Sequence, residues 1–151
     1  QARPTGEVIL VDTAPLVALS DPRDSLHARA VRDLDSLARH PLAACSPVLT
    51  EACFLLSHPV QRARLHRLLA ELPVRPVPIA DEAGVWQDAF LWMQRYADHE
   101  PDWADAYLAV LSDRDRRARV WTYDGEFRTT WRRPDGSRIP MAPRSVPRPQ
   151  K

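Results

Sequence analysis

The sequence predicts an α/β domain built on a mostly parallel sheet with helices packed against it. Short apolar runs without polar alternation, such as Val8–Val11, are typical of strands that are buried on both faces. These runs alternate with longer segments whose apolar residues recur at helical spacing, which is the pattern of a parallel α/β sheet. The chain has 151 residues, of which 44% are hydrophobic and 27% charged, as expected of one globular domain with a single core.

The first half of the chain predicts two strands, each followed by two helices. Aspartate and serine residues before the helices supply N-terminal caps, and prolines mark first turns and breaks. In order, the predicted elements are a strand at 8–11, helices at 13–20 and 24–39, a strand at 42–45, and helices at 46–57 and 61–72.

The second half continues the alternation. The strand at 74–79 contains two prolines, which favour an edge of the sheet. A helix at 81–98 is expected to turn five residues inward: Val85, Trp86, Ala89, Phe90 and Met93. The remaining elements are a helix at 102–113, a strand at 118–123 and a weak strand at 139–142.

Composition excludes several classes of protein. With only 4 Gly, the chain contains neither a dinucleotide-binding GxGxxG motif nor a P-loop. Its longest apolar run, Ala14–Leu19, is far shorter than the roughly 20 residues that span a bilayer, and no signal-peptide core opens the sequence. The two cysteines, Cys45 and Cys53, make neither a zinc ribbon nor a disulfide framework. We therefore expect a protein of the reducing cytoplasm with no membrane partner.

Five carboxylates follow predicted strands or lie near the starts of predicted helices: Asp12, Glu51, Asp102, Asp105 and Asp124. Right-handed crossovers in a parallel sheet would bring them to one rim. Two unit charges about 4 Å apart repel by about 4 kcal/mol at an effective dielectric near 20, and a domain is stable by only about 5–15 kcal/mol. Such a cluster must hold a cation or keep some members protonated, and an all-oxygen site suits Mg²⁺ or Mn²⁺.

Each acid also has a purely structural interpretation. Asp12 can cap the helix that follows it, and Asp102 and Asp105 have the spacing of a capping box. Asp124 can belong to a turn with the glycine that follows it, and Glu51 can be a solvated helix residue.

Four segments in order resemble motifs of one known family, the PIN domains, and within it the VapC toxins of bacterial toxin–antitoxin systems. Residues 8–19 resemble its strand, acid, hydroxyl residue and apolar helix, and 46–51 its second motif, which ends in glutamate. Residues 102–111 resemble its third motif, an aspartate before alanine and an apolar helix, and 120–127 its fourth, Thr-x-Asp followed by Phe. The resemblance covers about residues 8–142.

The resemblance implies a PIN-like three-layer α/β fold with a central parallel sheet of about five strands. It implies a divalent-metal endoribonuclease that uses metal-activated water, the toxin of a toxin–antitoxin pair. Its partners would be an RNA substrate, a cognate antitoxin and a second copy of the chain, and its cofactor Mg²⁺ or Mn²⁺. Carried over by motif, the catalytic and metal-binding acids are Asp12, Glu51, Asp105 and Asp124, with Asp102 as an accessory metal ligand and Thr13 and Thr122 as supporting polar residues. The alternative is a catalytically inactive PIN-fold module that binds RNA or protein.

The basic end of the chain offers residues that could contact RNA. Residues 114–151 carry 11 Arg or Lys and 4 Asp or Glu, whereas 1–113 carry 10 and 16. Arg128, Arg132 and Arg133 are the predicted phosphate contacts, and Trp131 could stack on an unpaired base or belong to the core. The arginines at 114–119 either contribute to this surface or form a solvated helix end.

The predicted domain spans residues 7–142, after an N-terminal extension at 1–6. Residues 143–151 are rich in proline and arginine, and a disordered tail is expected there.

Overall fold

A computed structural model describes residues 6–144 of the chain. Residues 1–5 of the expected extension and 145–151 of the expected tail lie outside the described residues. In the described part, five parallel strands form one sheet in the order β3-β2-β1-β4-β5. The strands are β1 (Val8–Val11), β2 (Leu42–Ala44), β3 (Val74–Pro76), β4 (Ala118–Trp121) and β5 (Met141–Ala142).

Helices connect the strands and flank the sheet, which confirms the predicted three-layer α/β fold. They are α1 (Thr13–Ser20), α2 (His27–Leu37), α3 (Ser46–Leu55), α4 (Pro59–Glu71), α5 (Glu82–Arg95), α6 (Trp103–Arg114) and the single turn α7 (Glu126–Thr129). None of the described helices is long and apolar enough to cross a membrane.

The strand order reverses beside the first strand. β1 pairs with β2 on one side and with β4 on the other, with Ile9 opposite both Leu42 and Arg119. In open parallel sheets, this reversal leaves a crevice at the carboxyl ends of the two central strands, where ligands bind. The residues that follow β1 and β4 therefore face each other across that crevice.

The core fills both sides of the sheet. Three of the four residues of β1 are buried, as expected for a continuous apolar run between two helical layers. On one side, α5 packs against α6, whose alanines at 106 and 109 are fully buried and allow a close approach.

Several element boundaries differ from the predicted ones because local hydrogen bonds set them. The Asp24 carboxylate accepts from the Leu26 amide at 2.8 Å, so a turn precedes α2 and delays its start. The His58 ring and the Gln61 side chain form a capping box, so Pro59 begins α4 and does not simply break a helix. The helix expected at 81–98 ends at Arg95 and is followed by a short 3-10 helix, Ala97–His99.

The inward face predicted for α5 is partly wrong. Val85, Ala89 and Trp92 are buried, whereas Trp86 and Phe90 are 51% and 57% exposed. The buried stripe is narrow because α5 rests on the small side chains of α6, so the flanking aromatic residues stay at the surface.

Candidate active site

Asp12 lies at the carboxyl end of β1 and is almost completely buried, with 7% of its surface exposed. Its amide donates to the Trp121 carbonyl at 2.9 Å, which continues the pairing of β1 with β4. One carboxylate oxygen accepts from the Thr13 amide at 2.8 Å and caps α1, and the other accepts from the Thr122 hydroxyl at 2.7 Å. The capping interpretation of Asp12 is therefore correct, and it is compatible with a place in the crevice.

Thr122 connects the ends of the two central strands. Its hydroxyl donates to Asp12 and accepts from the amide of Asp124 at 3.0 Å. The Asp124 carboxylate is exposed and accepts from the Glu126 amide at 2.9 Å at the start of α7. The Thr122 hydroxyl thus fixes the backbone of Asp124 relative to the carboxylate of Asp12.

Asp102 and Asp105 form a capping box at the start of α6. Asp102 accepts from the Asp105 amide at 2.8 Å, and Asp105 accepts from the Asp102 amide at 3.2 Å. Asp102 is exposed and Asp105 is half-buried. The expected capping geometry is present, and it holds both carboxylates at the end of α6 that faces the crevice.

Glu51 completes the set from α3, one turn after the start of that helix. Its side chain is half-buried and lies near the Thr13 hydroxyl, which opposes the rise in the pKa of the Glu51 carboxyl. The Thr13 hydroxyl is itself buried and makes no hydrogen bond of normal geometry with any described residue.

The five acids lie close enough for the charge of one to affect the pKa of another. Burial is the main cause that raises the pKa of Asp12, and the charges of Asp102 and Asp124 raise it further. Burial and then the Asp102 charge raise the pKa of both Glu51 and Asp105. The excess negative charge expected from the sequence is therefore a property of this rim.

The donor set fits a hard divalent cation. All five acids offer carboxylate oxygens at one rim, and the unpartnered Thr13 hydroxyl adds a buried polar atom beside them. Within residues 6–144, no three acidic, histidine or cysteine side chains stand as a preformed metal site.

The predicted RNA contacts at the basic end are corrected in part. Trp131 is 2% exposed and packs edge-on against Trp92 and Tyr96, so it belongs to the core and cannot stack on a base. Arg133 is 5% exposed, and its guanidinium is buried away from the surface. Arg132 is half-buried and donates to the Trp131 carbonyl at 3.0 Å. Arg128 alone of the four is exposed, on α7, one turn after the last acid of the rim.

The arginines at 114–119 do not extend this surface. They precede or belong to β4, so most of them lie at the opposite end of the sheet from the acids. Each pairs with a carboxylate: Arg114 with Asp88, Arg116 with Asp113 and Asp135, Arg117 with Asp115, and Arg119 with Glu7. The solvated helix end therefore describes Arg114, at the end of α6, whereas Arg116 and Arg117 follow that helix and Arg119 belongs to β4.

A cavity of about 460 Å³ adjoins the acids and was not predicted from the sequence. Glu51 and Asp102 line it together with two aromatic residues, Phe54 and Trp103. The sequence of α3 does not indicate that Phe54 is exposed, because an apolar residue on an amphipathic helix usually faces the core. In the folded chain its side chain is 79% exposed.

Comparison with known proteins identifies a similar fold. Neither a protein-family model nor a curated protein matches the sequence. Among solved structures, the fold is similar to VapC20 of Mycobacterium tuberculosis, a sarcin–ricin loop cleaving toxin, with a TM-score of 0.65 and 25% identity. The similarity covers 80% of this chain and 93% of VapC20. This similarity supports the resemblance inferred from the four motifs: the chain has a PIN-like fold, similar to that of a VapC toxin.

Proposed function

We propose that this protein is a divalent-metal-dependent endoribonuclease and the toxin of a toxin–antitoxin pair. The observation that carries the proposal is the mutual charge interaction of five carboxylates at the switch point of a sheet that is similar to VapC20, an RNA-cleaving toxin. The alternative, an inactive binding module, has no observation in its favour, since none of the four motif acids has been replaced.

In this proposal, Asp12 and Asp105 hold Mg²⁺ or Mn²⁺, and Glu51 and Asp124, with Asp102, complete the site. The bound ion would acidify a water and neutralise charge on the phosphate. Glu51 is half-buried with a raised pKa, and we assign it to orient the attacking water and accept its proton. Thr122 holds the Asp12 carboxylate in a single orientation, and the Thr13 hydroxyl lies near Glu51. Water would attack phosphorus while Glu51 accepts its proton, and the bond from phosphorus to the leaving oxygen would break as solvent protonates that oxygen.

The proposed partners follow from the charge of the rim. A cognate antitoxin would silence the enzyme by placing an arginine or lysine among the carboxylates, where a cation relieves their repulsion. The protein would act as a homodimer in the cytoplasm, where its RNA substrate is found.

Cleavage of RNA tests the proposal directly. The purified chain is incubated with a mixed RNA pool and with a sarcin–ricin loop oligonucleotide, in Mg²⁺, in Mn²⁺ and in EDTA. We expect cleavage at discrete sites with either ion, none in EDTA, and a loss of at least about 100-fold in Asp105→Asn. Asp35→Asn is the matched control, because Asp35 is an exposed aspartate of α2. Equal, metal-independent cleavage by wild type and Asp105→Asn would overturn the proposal and favour the inactive module.

A further inference from the structure

A large apolar side chain stands in solvent beside the charged rim. Phe54 is 79% exposed, although it lies only three residues after Glu51 on α3. Residues three apart on a helix share a face, so the ring and the carboxylate border the same space. That space is the cavity of about 460 Å³, within the size range of small-molecule pockets.

Trp103 also lines the cavity, and other side chains hold its ring in place. Trp103 follows Asp102 directly, and its ring contacts those of Phe90 and Tyr107, with centroids 4.8 and 5.2 Å away. Tyr107 is fixed in turn, since its hydroxyl donates to Glu82 at 2.7 Å and accepts from the Trp86 indole at 2.6 Å. Trp103 is therefore held in place before any ligand arrives.

The cavity is thus lined by both acids and aromatic rings. Glu51 and Asp102 line the cavity and also belong to the acidic rim. If a phosphate is bound at the rim, the nucleotide attached to it lies next to the cavity. Of the groups on an RNA chain, only a base is flat and apolar enough to lie against the two rings.

We propose that this cavity is a base-binding subsite, in which Phe54 and Trp103 stack on an unpaired nucleotide next to the bond that is cut. The inference rests on the proposed function and adds a feature of the substrate. Stacking tolerates any base, but it requires a free face, and a base inside a duplex has none. The cavity therefore selects loops and single strands without reading their sequence. A nucleotide is favoured over a protein segment because Glu51 and Asp102 belong both to the cavity and to the rim where the phosphate is proposed to be cut.

Steady-state cleavage of the preferred RNA measures the contribution of the ring. Phe54→Ala should lower kcat/KM by about 5- to 150-fold, which corresponds to the stacking of one base, whereas Phe54→Tyr should retain it. Leu91→Ala is the matched control, because Leu91 is 57% exposed and apolar but does not line the cavity. An RNA with an abasic nucleotide beside the cut should lose activity on wild type and lose no more on Phe54→Ala. If Phe54→Ala lowers the activity on the intact RNA and on the abasic RNA by the same factor, or lowers neither, the inference is overturned.

A second measurement separates this inference from the proposed function. An oligoribonucleotide that contains 2-aminopurine is mixed with the intact protein, and its fluorescence is followed before any cleavage. Quenching by wild type that is lost in Phe54→Ala supports the subsite even if no bond is cut. Absence of quenching by wild type would overturn the inference, whether or not cleavage occurs. Conversion of a dimer to a monomer by Phe54→Ala, seen by sedimentation, would also overturn it and assign this face to a second copy of the chain.

Discussion

The hydroxyl of Thr122 donates a 2.7 Å hydrogen bond to the buried carboxylate of Asp12, and this contact ties the end of β4 to the end of β1. The two residues are separated by 110 positions in the sequence. The same hydroxyl accepts from the Asp124 amide, so it sets the spacing between two acids of the rim. It also lowers the pKa of Asp12, in opposition to the larger effect of burial.

Replacement of this hydroxyl should affect both stability and activity. Thr122→Val keeps the shape of the side chain but leaves a buried carboxylate with one donor fewer. We expect a loss of about 1.5–3 kcal/mol in the free energy of unfolding, measured with urea, and a fall in kcat for RNA cleavage. Thr122→Ser should stay within about 1 kcal/mol of wild type. A fully active and stable Thr122→Val protein would show that the contact is not needed.

The raised pKa values predict that the metal-free protein loses stability as the pH rises. Protons bind the folded state of Asp12, Glu51 and Asp105 more tightly than the unfolded state, so this stabilisation is complete near pH 4 and is lost as the pH rises through the raised values. Asp105→Asn replaces a carboxyl whose pKa is raised to about 8 by burial and by the Asp102 charge with a side chain that does not ionise. In EDTA, the variant should be more stable than wild type at pH 7.5, on the order of 1–2 kcal/mol.

Comparison of wild type with Asp105→Asn separates the pH-dependent stability of the rim from that of the rest of the chain. Other acids, such as Glu7 and Asp135, have lowered pKa values and act in the opposite direction, but they are present in both proteins. The difference in unfolding free energy should therefore shrink towards zero at pH 4. A difference that is constant with pH would contradict the account of the rim.

Trp131 should behave as a core residue in mutagenesis. Trp131→Ala should lower the free energy of unfolding by about 3–5 kcal/mol, as is typical of a buried aromatic residue. Trp131→Phe should cost much less, because it removes an indole N–H that is buried and has no hydrogen-bond partner among the described residues. Urea unfolding of both variants checks the prediction, and a stable Trp131→Ala protein with weakened RNA binding would reverse the assignment.

Arg128 is the remaining predicted phosphate contact at the rim. Arg128→Glu should raise KM with little change in kcat, and it should reduce the slope of log K against log salt by about 1. Arg32→Glu reverses an exposed arginine on α2 and should leave both quantities unchanged. Equal effects of the two variants would mean that only net charge matters.

The positions of the acids could be predicted because they depend on topology. Asp12 directly follows β1 and Asp124 lies three residues after the end of β4, and parallel strands place their carboxyl ends at one edge. The capping box of Asp102 and Asp105 is equally local, since it depends only on spacing at the start of a helix. Such features are encoded within a few residues of sequence.

The side-chain environments could not be predicted in the same way. Trp131 and Phe54 are both aromatic residues near the rim, yet one is buried and the other is mostly exposed. What distinguishes them is tertiary: α5 and its 3-10 extension cover Trp131 with three rings, whereas the face of α3 that carries Phe54 borders an open cavity. Arg133 is buried for a similar reason, because the loop that carries it packs against Arg95 at the end of α5.

The account depends most on the claim that these carboxylates act as one site for a divalent ion. Calorimetric titration of Mn²⁺ into the metal-free protein tests it most directly, with Asp12→Asn and Asp105→Asn beside Asp35→Asn. We predict saturable uptake by wild type and by Asp35→Asn, and a loss of at least about tenfold in affinity for each of the other two variants. No uptake by wild type, or uptake that Asp12→Asn and Asp105→Asn leave unchanged, would contradict it.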